Sequence, residues 1–414
     1  MKILYVSTNH EHANDMHINN IRGLYEVCQV DCYGPGFSSK EELEKGIKDY
    51  ISKKGIYDAI ILDFALAMLQ MEYLDIRLAY HWHRYLMADY SVYEAIRYAD
   101  KIIDEVKKLD IVKILYYKFD TFSLTKIWEE CICELLNKGF YLWEIGEEFV
   151  PEIEETEQTK IIGWGNRYLS LCKKYKKQVI SMPNCSVTYK EFYQLPLEKR
   201  KYDITVPGNL SSTFYPDRIK ILNQLNGTKY KIYEKYYNRT LAYADSCAED
   251  RDTIYKREED KILADKLRVP CQYMDSRRSR ESIASWRENY NVALRESKMG
   301  YADGGLSLQI LRKYVEIPAR GTVLLCQDIP PLKCFGFKEW ENMITVTPDS
   351  ILDVCDYLYA SPKEMQRIAD AGRDMVFQLH SAVVHAKHIV NSIDAIKKGR
   401  FQGSHWSDGI FYID

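Results

Sequence analysis

Short apolar runs alternate along this chain with stretches of ten or more residues that carry helical spacing, and that alternation decides the fold class. KILYV (2–6) is followed by a polar loop and then by INNIRGLYEV (18–27), whose apolar residues recur at helical intervals. CQVDCYG (28–34) reads as a second strand closing on glycine, and YDAIILDF (57–64) as a third of the fully buried kind. IVKILYYKFD (111–120) precedes the helical TFSLTKIWEECICELLNKG (121–139), and TKIIGWG (159–165) precedes NRYLSLCKKYKK (166–177) and QVISMPN (178–184). Strands separated by helices of this length make βαβ units and a parallel sheet. The pattern breaks in a charged, proline-containing stretch at 193–203. It restarts with YDITVPGN (202–209), YPDRIKILNQLNG (215–227), KYKIYEK (229–235) and, after a charged helical stretch, MGYAD (299–303) and TVLL (322–325).

A length of 414 residues is too great for one ordinary core. The expected fold is α/β, with two Rossmann-like domains facing across a cleft: an acceptor-side domain over 1–200, a donor domain over 201–385, and a tail over 386–414 that packs back on the first. The net charge of −3 offers no basic field for nucleic acid. MKILYVSTNHEH has one basic residue and too short an apolar run for a secretory leader, and no stretch reaches the length of a membrane span. The eleven cysteines contain no CxxC pair, and Cys131 and Cys133 fall within a helical stretch, a poor geometry for zinc. A cytoplasmic protein with reduced thiols is expected.

Residues 301–325 read as one further βαβ piece. Asp303, Gly304 and Gly305 form the turn, Ser307 caps a helix running through Glu316, Pro318 ends it and Gly321 turns the chain. Leu308, Arg312 and Glu316 then share a face. Helix starts bind phosphate, and paired glycines let a ligand approach the backbone. Glu316 would lie ~12 Å from that start, the scale of a nucleoside diphosphate. A carboxylate suits the sugar end, because it accepts from two ribose hydroxyls. Its place in the last turn would oppose the dipole by about 0.3–1 kcal/mol. The competing reading is an exposed pair of Glu316 with Arg312 or Lys313, worth about 0.2–0.5 kcal/mol.

KYVEIPARGTVLL (313–325) resembles the carboxyl-terminal region of GT-B glycosyltransferases of the CgeB, or spore maturation protein, type, related to the family 4/group 1 glycosyltransferases. KYDITVPGNLSSTFYPDRIKIL (201–222), GFKEWENMITV (336–346) and SPKEMQRIADAGRDMVFQLHS (361–381) resemble other segments of that family in the same order. The resemblance implies a nucleotide-diphosphate sugar donor, a UDP-sugar first among them, held by the second domain, with no other cofactor and no metal. The first domain would hold the acceptor hydroxyl of a carbohydrate, protein or small molecule. Glu316 then matches the glutamate that holds the donor ribose, and Gly208 and Asn209 the loop near the phosphates. Arg218 is either a phosphate ligand or a helix-surface arginine. Retaining relatives often carry two glutamates eight positions apart, whereas here Leu308 stands eight before Glu316. The turn at Asp303 to Gly305 would take over part of that role.

Transfer of a glycosyl group needs a stabilised leaving diphosphate and a deprotonated acceptor. Arg312, Lys313 and Lys298 are the basic candidates for the first task. For the second, the loop after the first strand holds His10, His12 and His17, of which His17 opens the helix, and Asp120 ends the fourth apolar run. Asp250-Arg251-Asp252 lies in a charged helical segment, not at a strand end, and is read against a metal role. His81 and His83 read as packed or surface residues, and His380, His385 and His388 as structural. A nucleotide-sugar epimerase or hydrolase on the same architecture, or a non-catalytic nucleotide-sugar binding protein, is the alternative.

Overall fold

The computed structural model describes residues 1–8, 18–74, 92–118, 124–152, 164–208, 210, 215–233 and 280–414. The first unit begins with β1 (Lys2–Val6), α1 (Asn19–Val27), β2 (Gln29–Tyr33), α2 (Lys40–Lys45), α3 (Ile47–Lys54), β3 (Ala59–Asp63) and α4 (Phe64–Ala67). It continues through α5 (Val92–Lys107), β4 (Val112–Tyr116), α6 (Lys126–Asn137), β5 (Phe140–Glu144), α7 (Trp164–Lys174) and β6 (Val179–Ser181). The six strands lie in the order β2-β1-β3-β4-β5-β6, and every pairing is parallel. All five residues of β3 are buried, as its unbroken apolar run requires of a central parallel strand. Ser39 starts α2 with a capping box closed by Glu42, and Thr125 caps α6.

The second unit contains β7 (Tyr202–Thr205), α8 (Pro216–Leu225), α9 (Arg280–Glu296), β8 (Ser297–Ala302), α10 (Lys313–Ala319), β9 (Val323–Cys326) and β10 (Ile344–Thr345). Its four strands run β10-β9-β8-β7, again all parallel. A parallel bridge from Ile232 to Ile204 extends this sheet past β7, and among the described residues of KYKIYEK, 229–233, no strand beyond this bridge forms. Three helices follow, α11 (Ile351–Ala360), α12 (Pro362–His380) and α13 (Ala382–Lys397), and then a hairpin of β11 (Ser404–Ser407) and β12 (Ile410–Ile413).

The chain after α12 returns to the first sheet. Helix α13 packs along α1, Lys397 pairs with Asp58, and the Trp406 indole N–H donates to the Ser181 carbonyl at 2.7 Å. One apolar cluster joins the units, with Ile3 and Ile61 of the first sheet and Ile317 and Leu324 of the second. Among the described residues no helix is long and apolar enough to cross a membrane.

One strand expectation needs correction, and one strand was not expected. TKIIGWG lies mostly outside the described residues, and its last two, Trp164 and Gly165, open α7. The fifth strand is instead FYLWE, which follows α6 directly through Gly139 at φ +82 and is buried at four of five positions. Its alternation is hidden by the apolar helix before it.

In open parallel sheets ligands bind where the strand order reverses, beyond the carboxyl ends of the strands. In the first sheet β1 lies between β2 and β3. In the second, β7 lies between Ile232 and β8. The candidate residues are to be sought beyond β1 and β3, and beyond β7 and β8.

Candidate functional site

Two loops at the reversal point of the second sheet bring basic side chains together. After β7 the chain turns at Gly208, with φ +120. Helix α8 then opens with Pro216 at its first position, which places Arg218 in its first turn. A Cβ on Gly208 would stand 2.5 Å from Lys313 Nζ and 2.6 Å from Arg218 Nη1. The glycine is needed for its backbone angle and for the room the two cations occupy. Arg218 is fully buried, so it is no helix-surface residue. Its guanidinium pairs with Asp303, just past β8, and lies 4.0 Å from the centre of the Tyr215 ring. Lys313 Nζ approaches the same ring at 5.7 Å.

These groups are out of balance. Burial and then the neighbouring Arg218 charge push the Lys313 ammonium down to about 7, against the pull of Asp303 and Glu316. Asp303 Oδ2 is buried and has no hydrogen bond among the described residues. Among the described residues two cations face one carboxylate around this turn, which is chemistry suited to a phosphate or diphosphate.

The segment before α10 departs from the expected helix. Gly305–Ser307 is a single 3-10 turn, Leu308 is left-handed at φ 49, and α10 begins only at Lys313. Ser307 donates to the Gly304 carbonyl at 3.0 Å and caps no helix. A Cβ on Gly304 would meet Gln309 O at 2.7 Å, so this glycine serves the packing of its own loop. Pro318 lies inside α10 and does not end it. The helix tolerates the lost N–H because it is short and because every residue from Tyr314 to Ala319 is buried. Gly321, at φ +63, turns the chain into β9.

This shift relocates Glu316 from the last turn of a long helix to the first turn of a short one, where the dipole favours it. Lys313 and Glu316 are now three residues apart on one face, and the ~12 Å separation no longer applies. Glu316 is only 6% exposed. Tyr290 of α9 donates to its Oε2 at 2.6 Å, and Arg312 Nε stands 3.0 Å from its Oε1. Arg312 in turn pairs with Glu191, which also receives Arg320. The pairing of Arg312 with Glu316 that spacing suggested is present, but buried. Lys298 lies apart from this group, paired with Asp203 at 2.8 Å near the amino end of β8.

At the reversal point of the first sheet a second polar group closes the strand ends. Asp63 and Lys118 form an ion pair at 2.7 Å, and both are buried. Asp63 also receives the Tyr5 hydroxyl and, at 2.7 Å, the Ser7 hydroxyl. Burial pushes Lys118 down from its ordinary value, and Asp63 only partly restores it. His10, His12, His17, His81, His83, Asp120, Asn209, Asp250 and Asp252 lie outside the described residues. Thr8 and Lys118 are the last described positions before the segments that carry His17 and Asp120. His380 stacks on Phe335 and His385 meets Trp406 edge-on in the core, where burial holds His380 down to about 3, a neutral packing role.

Sequence reasoning passed over Asp63, Lys118 and Glu191. The first two had a readable signal, since each is a charged residue closing an apolar strand run. Glu191 had none, because Arg312 and Asn19 are 121 and 172 residues away.

No family model matches the chain, and no curated protein matches it in sequence. Solved structures resemble it in fold. A glycosyltransferase from Rickettsia africae shares 12% identity over 96% of this chain and 98% of that one, with a TM-score of 0.50. Sucrose-phosphate synthase from Thermosynechococcus elongatus shares 11% over 96% and 100%, at 0.48. Anabaena HepE, solved in complex with UDP and glucose, shares 11% over 95% and 100%, at 0.47. The chain has the GT-B fold, two Rossmann-like units, each with a parallel sheet whose reversal point carries a buried charged group.

Proposed function

We propose that this chain is a glycosyltransferase of the CgeB-like type, moving a sugar from a nucleoside-diphosphate sugar to an acceptor hydroxyl. The observation that carries the reading is the unbalanced turn of Gly208, Arg218 and Lys313 beside Asp303. The donor's diphosphate sits against the two cations and adds negative charge to the turn. Glu316, three residues on from Lys313, accepts from the donor's ribose with the lone pairs that Tyr290 and Arg312 leave over. As the glycosidic bond breaks, negative charge grows on the leaving diphosphate, and Arg218 and Lys313 stabilise it in a water-poor site. The acceptor hydroxyl approaches from the first sheet, above Asp63 and Lys118, and gives its proton to His17 or Asp120 on the adjoining loops. The fold shared with the Rickettsia africae glycosyltransferase supports this assignment.

The test is a donor screen. UDP-, GDP-, ADP- and dTDP-sugars are incubated with the full chain, with and without a panel of sugar and small-molecule acceptors, and both free nucleoside diphosphate and remaining donor are measured. Release that depends on one acceptor is expected. Consumption at the same rate without any acceptor would instead indicate an epimerase or hydrolase. No consumption of a donor that binds would leave a non-catalytic binding protein.

A further inference from the structure

The segment between the two sheets carries a carboxylate that touches both units. Glu191 closes a 3-10 turn begun by Thr188, whose backbone N–H and hydroxyl donate to Glu191 Oε2 at 2.7 and 3.0 Å. From the first unit, Asn19 Nδ2 at the start of α1 donates to the same oxygen at 2.7 Å. From the second, Arg312 pairs with Oε1, and Arg320 binds both the Glu191 carbonyl and, at 3.7 Å, Oε1. Burial pushes the Glu191 carboxyl up, but the two guanidinium groups and Thr188 outweigh it and hold the group below its usual range. Glu191 is therefore a fixed anion. Its charge reaches the proposed site through Arg312, whose guanidinium pairs with Glu191 through Nη2 and stands with its Nε 3.0 Å from Glu316, an ion pair without a hydrogen bond.

We propose that Glu191 is a positioning residue for the pentose end of a bound nucleotide, acting on Glu316 through Arg312. The inference rests on the nucleotide reading above. With Glu191 charged, Arg312 is shared between two carboxylates, and Glu316 keeps acceptor capacity for the ribose hydroxyls. With that charge removed, the Arg312 guanidinium is held less by Glu191, turns toward Glu316 and competes with the ribose for its oxygens. Among the described residues the diphosphate turn at Gly208 is built from Arg218, Lys313 and Asp303, and its binding of pyrophosphate is expected to be unaffected.

Calorimetric titration of the full chain with three probes tests this: inorganic pyrophosphate, the ribonucleoside diphosphate that binds best, and its 2′,3′-dideoxy analogue. Glu191→Gln is expected to weaken the ribonucleotide about tenfold and to leave pyrophosphate and the dideoxynucleotide unchanged. Glu191→Gln/Arg320→Gln, which keeps Arg312 and Glu316 balanced in charge, guards against a single variant that fails to fold and should show the same split. Equal losses for all three probes, or no loss for any, would overturn the role of Glu191 while leaving the nucleotide reading intact. If the unmodified chain binds none of the three, that reading falls, and this inference with it.

Discussion

Two charged clusters meet at the start of α10, and they differ in balance. Glu191, Arg312, Glu316 and Arg320 make two anions and two cations, tied to one another and to Tyr290, Asn19 and Thr188. Among the described residues, Arg218, Lys313 and Asp303 make two cations and one anion around a glycine turn. A buried cluster with closed charge needs nothing further and acts as a frame. One with surplus positive charge holds its cations at a cost, and that cost is removed when an anion binds. The difference separates what holds the site from what the site holds.

The comparison is broken most severely by opening the balanced cluster. Arg312→Met leaves two buried carboxylates with Arg320 alone between them, and should destabilise the chain by about 3 kcal/mol in urea unfolding. A change under about 0.5 kcal/mol would mean that the cluster is solvated and no frame. The next largest effect falls on the other side. Gly208→Ala puts a Cβ where Lys313 and Arg218 now lie, on a backbone angle that alanine resists, and should weaken nucleoside diphosphate binding about a hundredfold with the chain still folded.

Lys313→Met sharpens the contrast, because its effect on stability should have the opposite sign to that of Arg312→Met. The folded-state value of Lys313, about 7, lies below that of an unfolded lysine. The unfolded chain thus binds more protons between the two values, and this residue's penalty is full below pH 7 and fades as pH rises. Removing the charge should raise the midpoint of thermal unfolding at pH 6, with the gain shrinking toward pH 10. A lowered midpoint at pH 6 would show that Lys313 is paired and not stranded. In the first sheet, Lys118→Met should destabilise at neutral pH, since it removes a counter-charge from the buried Asp63.

The fold was legible because alternating strand and helix lengths leave few arrangements for a chain of this size, and the parallel sheets follow from them. Gly208 and Arg218 were legible for a related reason: they follow a strand end, where a parallel sheet exposes its loops. The 303–312 bend was misread, because its apolar spacing imitates a helix. Its glycines, the left-handed Leu308 and the packing of Gly304 on Gln309 hold an open turn instead. Propensity did not reveal that a seven-residue helix containing Pro318 is held by burial alone. Glu191 and its partners were beyond reach, since local spacing says nothing about side chains brought together across more than a hundred residues.

The claim under all of this is that the turn of Gly208, Arg218 and Lys313 receives a diphosphate. Calorimetric titration of UDP, GDP, ADP and dTDP into the chain at pH 8, in two buffers that differ in heat of ionisation, examines it directly. One nucleotide should bind, and binding should take up a fraction of a proton as Lys313 regains its charge, an uptake that vanishes in Lys313→Met. No binding at millimolar concentration, or binding with the same proton count in Lys313→Met, would contradict it.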